Sequence, residues 1–386
     1  MSNICIFSAQ YLPHMGGVEN YTYNLARYLI KRGDKVVVVT SATDDLPETE
    51  IKDEILIVRM PCLNLMNGRY PVLLPKKQFF QLNKKLKQHK FDLVLVNTRF
   101  YLHSVYGAAF ARDSKTRCAM IEHGTAHMTV HSRIGDFVEH IIEHTLTWVD
   151  KLLCKEFYGV SDACGEWLKH FGITSSGTLY NAVDLEKIRE IQKKQGRNFR
   201  EEYGIPENAV VVAFTGRLLK EKGIYQLVES VNQLREEGQN LYLFLAGAGD
   251  EEEGIRKLAD DHIIPVGRLQ FEDVIAMLMQ TEIFCLPSES EGFPTSVLEA
   301  AACRCFVITT ETGGAKEMIT GREYGIILPD NKTEGLTKAL REILENPENR
   351  MQVAERTYHR LEENYTWKTT AEKVDLLAHG KMLRKQ

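Results

Sequence analysis

The chain has 386 residues, 44% of them hydrophobic and 26% charged, and a formal net charge of −5. That length suits two or three domains with real cores, and the composition excludes a disordered polyelectrolyte. A mildly acidic balance also excludes a chain whose global field is built for nucleic acid or an anionic membrane.

Taken from the start, "MSNICIFSAQ" lacks the basic and long apolar regions of a signal peptide, and no run approaches the ~18 apolar residues of a membrane span. The eight cysteines include no C-x-x-C, and Cys303 and Cys305 are the closest pair. Cys5, Cys118 and Cys285 lie in strand-like apolar runs, which reads as reduced, buried thiols of a cytoplasmic protein.

Short β-branched runs then alternate with helical patterns. "ICIF" (4–7), "VVVVT" (36–40), "ILIVRM" (55–60), "DLVLVN" (92–97) and "CAMIEHG" (118–124) read as strands buried on both faces. Between the first two, Val18, Tyr21, Leu25, Tyr28 and Leu29 keep a helical period, closed by Lys31, Arg32 and Gly33. A second series comprises "VVVAFTG" (210–216), "LYLFLAG" (241–247), "IFCLPS" (283–288), "CFVITT" (305–310) and "GIILP" (325–329). After its first strand, Ile224, Leu227, Val228, Val231 and Leu234 trace one helix face. Such alternation predicts parallel sheets covered on both sides, hence two Rossmann-like domains. The charged stretch 185–208 has no strand pattern and reads as a linker leading into a helix, with the hinge near 185. The tail from Tyr365 is a further amphipathic helix.

Six stretches invite a chemical reading. Gly16 and Gly17, after the first strand, would let backbone approach a ligand at a helix N-terminus, although such a pair is often only a tight turn. "KKQFFQLNKKLKQHK" (76–90) carries six lysines and no acid, with Phe79, Leu82 and Leu86 on one face. Two readings stand side by side: a helix resting on anionic lipid, or a surface helix whose apolar side belongs to the first domain. His123, His127, His131, His140 and His144 cluster. The i,i+4 pair His140 and His144 has metal-binding spacing, but no Cys or paired acidic set completes it, so no metal is expected. His123, at a strand end, is the one placed for an active site, and His127 is a candidate to line the same cleft. "GRLLKEKG" (216–223) sets Arg217 and Lys222 at a strand end, a fork and a point charge suited to a diphosphate, against the alternative of a solvated turn. It lacks the Walker A pattern, and "LAGAGDEEEG" (245–254) does not continue as a dinucleotide fingerprint, so NAD is not expected.

The sixth is "ESEGFPTSVLEA" (289–300), where a strand leads through a loop into a helix. Unpaired first-turn N–H groups and the hydroxyls of Thr295 and Ser296 favour an anion there. Glu299 lies about 6 Å further along the axis at ~1.5 Å per residue, where a carboxylate can accept from a sugar diol. Glu291 would face the other end of the same ligand. Solvated glutamates at a plain strand–helix join are the competing reading.

Together these pieces resemble a retaining glycosyltransferase of the GT-B fold, in the family numbered four (glycosyl transferases group 1). The likeness is collinear over nearly the whole chain: "GGVE" (16–19), "EHGT" (122–125), "YNAVD" (180–184), "GRLLKEKG", "AGAGD" (246–250), "PSESEGFPTSVLEA" (287–300) and "TGGAKEMI" (312–319). Glu291 and Glu299 in E-x7-E order are its most specific element. The resemblance implies two doubly wound α/β domains facing across a cleft. Residues 1–185 would be the acceptor-binding domain and 186–365 the nucleotide-sugar domain, with the helix at 366–386, around Trp367, packing back on the first. Asn181 and Asp184 would mark the crossing.

It also implies the roles. Glu291 would bind sugar hydroxyls and Glu299 the ribose; Arg217 and Lys222 would hold the diphosphate as it leaves. Gly16 and Gly17 would lie against that diphosphate, and His123 beside the transferred sugar. Gly292, Phe293, Thr295 and Ser296 complete the donor-binding set. The donor would be a UDP- or GDP-sugar, with no metal or other cofactor and no nucleic acid. The acceptor would be a saccharide, lipid-linked or part of a cell-surface polysaccharide, reached at the cytoplasmic membrane face through 76–90. The family often has Gly where Pro294 stands and Pro where Lys316 stands. Pro294 has no N–H to give the donor, which leaves the sugar's identity open. The alternatives are transfer to a soluble sugar or sugar phosphate, a related GT-B epimerase or phosphorylase, and a non-catalytic scaffold.

Overall fold

The computed structural model describes residues 1–14, 16–65, 70–127, 132–194 and 196–383, without the side chains of 133 and 134. The chain folds as two compact units, Met1–Asn181 with Trp367–Gln386, and Ala182–Thr366.

In the first unit the strands are β1 Asn3–Phe7, β2 Lys35–Ser41, β3 Thr49–Lys52, β4 Ile55–Met60, β5 Cys62–Leu65, β6 Tyr70–Leu73, β7 Leu93–Asn97, β8 Arg117–Glu122, β9 Glu156–Gly159 and β10 Gly177–Thr178. Its helices are α1 Gly17–Lys31, α2 Lys77–Leu86, α3 Leu102–Asp113, α4 Arg133–Leu153 and α5 Asp162–Trp167. The main sheet runs β10-β9-β8-β7-β1-β2-β4-β3, parallel except for β3, and β5 with β6 forms a separate antiparallel pair. Ile4 to Phe7 and Leu93 to Val96 are wholly buried. A strand apolar on both faces needs helices on both faces, which is why the runs look continuous instead of alternating. The chain winds outward from β1 through β2 and β4, returns to β7 beside β1, then winds the other way.

The second unit repeats the plan. Helices α6 Leu185–Gln192 and α7 Phe199–Glu202 precede β11 Val210–Thr215 and α8 Ile224–Glu236. There follow β12 Leu241–Ala246, α9 Glu252–Arg256, β13 Ile263–Gly267, α10 Phe271–Leu278, β14 Ile283–Leu286 and α11 Thr295–Ala302. The unit closes with β15 Phe306–Thr310, α12 Ala315–Met318, β16 Ile326–Leu328, α13 Thr333–Leu344 and α14 Pro347–Asn364. All six strands are parallel, in the order β13-β12-β11-β14-β15-β16, so the winding reverses between β11 and β14.

Three sequence readings change, and at 76–90 the apolar side of the helix follows the second of the two readings. The stretch at 185 is not a free linker: Asp184 caps α6, Ile188 is fully buried, and Lys187 pairs with Glu272 on α10 at 2.9 Å. The lysine-rich helix ends at Leu86 and turns Leu82 and Leu86 into the first unit's core, leaving Phe80 and the lysines outside. Cys118 is half-buried instead of buried, and all eight cysteines are free. β3, β5, β6, β9, β10 and β13 escaped the sequence reading because each is short, polar or at an edge, where the apolar signal is weakest.

The last helix, α15 Trp367–Ala378, returns to the first unit. Trp367 is 2% exposed and meets the edge of Tyr21 on α1, ring centroids 5.1 Å apart. Thr370 Oγ1 donates to the Tyr180 carbonyl at 2.9 Å, and Arg32 pairs with Asp375 at 3.1 Å. Trp367→Ala should cost the first unit roughly 3–5 kcal/mol, the range for emptying a large aromatic site. Chemical denaturation followed by the fluorescence of the two remaining tryptophans checks this.

Candidate active site

In an open parallel sheet, ligands bind beyond the carboxyl ends of the strands where the winding reverses. In the second unit that place lies beyond Thr215 and Leu286, where the loops bring Lys222 and Glu291 together and Arg217 stands two residues past β11.

Lys222 ends a single 3₁₀ turn, Lys220–Lys222. Its Nζ donates to Glu291 Oε1 at 2.6 Å, Ser290 O at 3.1 Å and Ser288 Oγ at 3.2 Å. An ammonium has three donors, so all are engaged. The turn closes on Gly223, whose φ of +69° disfavours any side chain. A Cβ there would also stand 2.2 Å from the Pro287 carbonyl oxygen. Glycine therefore permits the lysine loop to lie against the β14 loop.

Arg217 is exposed, and its guanidinium has no ion pair or hydrogen bond among the described residues. The Glu299 carboxylate, one turn into α11, likewise finds no partner there, and burial pushes its pKa up to about 7. Thr295 and Ser296, at the helix start, are half-buried, and their first-turn amides have no intrahelical acceptor. Phe293 turns its ring inward, 7% exposed and 5.5 Å from Tyr365, so any ligand contact at that position falls to its backbone. Gly292 O accepts from Gly314 N at 2.8 Å, which lays the 312–314 loop along the glutamate loop.

At the first unit's reversal, between β1 and β7, a different chemistry appears. His123, just beyond β8, has Nε2 3.0 Å from Asn97 Oδ1 at the end of β7. Asn97 Nδ2 donates to Thr22 Oγ1 at 2.7 Å, and Thr22 Oγ1 donates to Val18 O at 2.8 Å. That chain fixes the amide, so His123 carries its proton on Nε2 and leaves Nδ1 as an acceptor. Burial drives its pKa down to about 3, keeping the ring neutral. Gly16 and Gly17 stand at the start of α1. The Gly16 amide is already taken by Glu19 Oε2 at 2.8 Å, whereas Gly17 is exposed with open space around its Cα.

Beneath His123 lies a buried ion cluster. Arg99 Nε is 2.5 Å from Glu122 Oε2 and Arg99 Nη1 is 2.8 Å from Glu143 Oε1, with all three side chains at most 2% exposed. Glu122 Oε1 accepts from the amides of His123 and Gly124, each at 3.0 Å. Burial outweighs Arg99 and moves the Glu122 pKa upward. Thr98, between Asn97 and Arg99, holds φ at +67°, a strained conformation for a β-branched residue. His127 contacts Glu143 and His140 instead of the Tyr21 and Asn97 partners of His123. His131 lies outside the described residues.

Sequence reasoning missed Asn97, Thr22, Arg99, Glu143 and Ser288. Asn97 carried a signal, a lone polar side chain ending the apolar run "LVLV". The others are placed by tertiary packing alone.

The chain matches the family described as Glycosyl transferases group 1 over residues 195–360 and that described as Glycosyltransferase Family 4 over residues 15–187. It is 24% identical over 381 residues to an uncharacterized glycosyltransferase of Methanocaldococcus jannaschii, covering 95% of each chain. It is 25% identical to a component of the Homo sapiens phosphatidylinositol N-acetylglucosaminyltransferase, covering 97% of this chain and 75% of that one. Among solved structures, Anabaena HepE in complex with UDP superposes with a TM-score of 0.73 at 16% identity, over 98% of this chain and 100% of the other.

Removing Arg99 would leave two buried carboxylates without their shared cation. Arg99→Ala is therefore expected to destabilise the first unit by roughly 3–5 kcal/mol, read as a lowered denaturation midpoint.

Proposed function

Because the chain belongs to the GT-B glycosyltransferases of the family 4 type, we propose that it takes a nucleotide-sugar donor and transfers the sugar with retention, without a metal. The observation that carries this is the second unit's switch point. There Lys222 is paired with Glu291 at 2.6 Å, and Arg217 stands exposed without a partner among the described residues. Departure of a nucleoside diphosphate builds negative charge on phosphate oxygens. A fixed ammonium, a guanidinium and helix-start amides can meet that charge, and preorganised charge of this kind is usually the largest catalytic term.

An arriving donor would exchange partners within the pair. Lys222 would turn from Glu291 to the diphosphate, and Glu291 would accept from sugar hydroxyls, so neither charge is left alone. Glu299 would take the ribose diol, with Thr295, Ser296 and the backbones of Gly292 and Phe293 around the donor. His123, Gly16 and Gly17 carry the roles that the family resemblance gives them; a neutral His123 with a free Nδ1 suits accepting from a sugar hydroxyl. The acceptor hydroxyl would attack on the face the phosphate leaves. We take residues 1–185 with the C-terminal helix as the acceptor domain and 186–365 as the donor domain.

UDP in the HepE structure supports a nucleotide-sugar donor. The phosphatidylinositol substrate in the human relative's name supports a lipid-linked acceptor. No helix among the described residues is long and apolar enough to cross a membrane. With the apolar side of α2 committed to the core, contact with an anionic leaflet would rest on the exposed lysines of 76–90, Lys84, Lys85 and Lys87 among them. Free cysteines throughout suit the cytoplasmic side.

A panel of UDP- and GDP-sugars, read by nucleoside diphosphate release, tests the reading. Lys222→Ala and Glu291→Ala should each lower release at least ~100-fold with circular dichroism unchanged, and EDTA should leave the wild-type rate alone. Full activity in either variant removes the site assignment. The raised pKa of Glu299 adds a pH signature. Hydroxyl donors favour the carboxylate, whereas the empty site is half protonated near pH 7. UDP affinity should thus rise up to ~10-fold between pH 6 and 8 relative to Glu299→Gln, whose profile lacks this step.

A further inference from the structure

Four imidazoles meet on the first unit, away from its strand reversal. His127 follows β8, His140 and His144 lie one turn apart on α4, and His170 sits in the 3₁₀ turn Leu168–Phe171. Ring centroids are 4.1 Å apart for His127 and His140, 4.9 Å for His127 and His170, and 5.2 Å for His144 and His170. In His127, His144 and His170, one ring nitrogen of each lies within 4.8 Å of the other two.

Apolar burial does not account for this meeting, since His144 and His170 are exposed. Their surroundings do orient them. His170 stacks on Trp167 at 4.9 Å with planes 2° apart, and His144 lies 4.8 Å from Phe171. Behind His127 stands Glu143, whose Oε2 is 2.6 Å from Nδ1 and whose Oε1 is held by Arg99 at 2.8 Å. The carboxylate can only accept, so Nδ1 carries the proton and Nε2 presents its lone pair. A carboxylate bonded to the far nitrogen is the usual support of a metal-binding histidine.

We propose that His127, His144 and His170 form a site for a divalent transition-metal ion of the zinc class, with water as fourth ligand. Three imidazole nitrogens suit zinc and its neighbours and not magnesium or calcium, which take oxygen ligands. Metal–nitrogen bonds of ~2.0–2.1 Å at tetrahedral angles need ligand nitrogens about 3.3 Å apart. Side-chain rotation of the two exposed histidines, His144 and His170, would close the gap. Bound there, the ion ties the loop after β8 to α4 and to the 168–171 turn. The Glu143–Arg99–Glu122 chain then links it to the amides of His123 and Gly124. The i,i+4 pair on α4 thus supplies one ligand, not two. The third comes from His170, beyond any helical spacing.

Tag-free full-length protein, stripped with chelator and dialysed, is titrated with ZnCl2 by calorimetry and with CoCl2 by visible absorption. The expected result is one ion per chain and a tetrahedral Co2+ spectrum. His144→Ala and His170→Ala, both surface changes, should each weaken binding at least ~10-fold with unchanged circular dichroism. Absence of stoichiometric binding, or equal affinity in the variants, overturns the proposal. Nucleoside diphosphate release plays no part in this readout, so its outcome and that of the transfer reading are separate.

Discussion

A parallel sheet that winds first one way and then the other must leave two loops diverging from adjacent strands, and the donor site proposed for the second unit rests on that constraint. In the second unit the diverging loops follow β11 and β14 and are joined by opposite charges, Lys222 from one and Glu291 from the other. Both side chains are less than one-fifth exposed. Each therefore lowers the cost of keeping the other charged out of water. The pair ties the two loops together, and it needs the left-handed Gly223 to bring them close enough.

The first unit answers the same constraint with neutral chemistry above a buried charge cluster. His123 stays uncharged because burial disfavours its cation, and the chain through Asn97 and Thr22 sets its tautomer. Below it, Arg99 spans two carboxylates that together with it carry one net negative charge in the ionised state. Burial lifting the Glu122 pKa opposes that charge. Such a cluster is a costly way to make a domain stable, and it borders a strained Thr98. Strain and buried charge next to a neutral histidine at a strand end are what a positioning framework requires, because rigid partners hold a side chain where solvent could not.

Identity to the compared chains is only 16–25%, yet the fold is shared with the solved structure at a TM-score of 0.73. Interior strands tolerate exchange among apolar residues of similar volume, so a fold can persist at such identity.

The sequence alone determined both doubly wound units, because strands buried on two faces must be apolar throughout and their lengths separate them from helices. It also picked out the second unit's polar loops, since Lys222 and Glu291 follow directly on legible strands. Spacing along the chain carries such information only where neighbours in space are neighbours in a regular element. The remaining decisions were tertiary. Whether α2 offered its apolar side to lipid or to the core depended on sheet residues far away, among them Val58 and Val94 in the cluster that takes up Leu82 and Leu86. Likewise Arg99, Glu122 and Glu143 come from three elements, and His170 meets His127 across 43 positions. Charge pairing and ligand geometry act through a few ångströms of space. Without local periodicity to encode those distances, only the folded chain sets them.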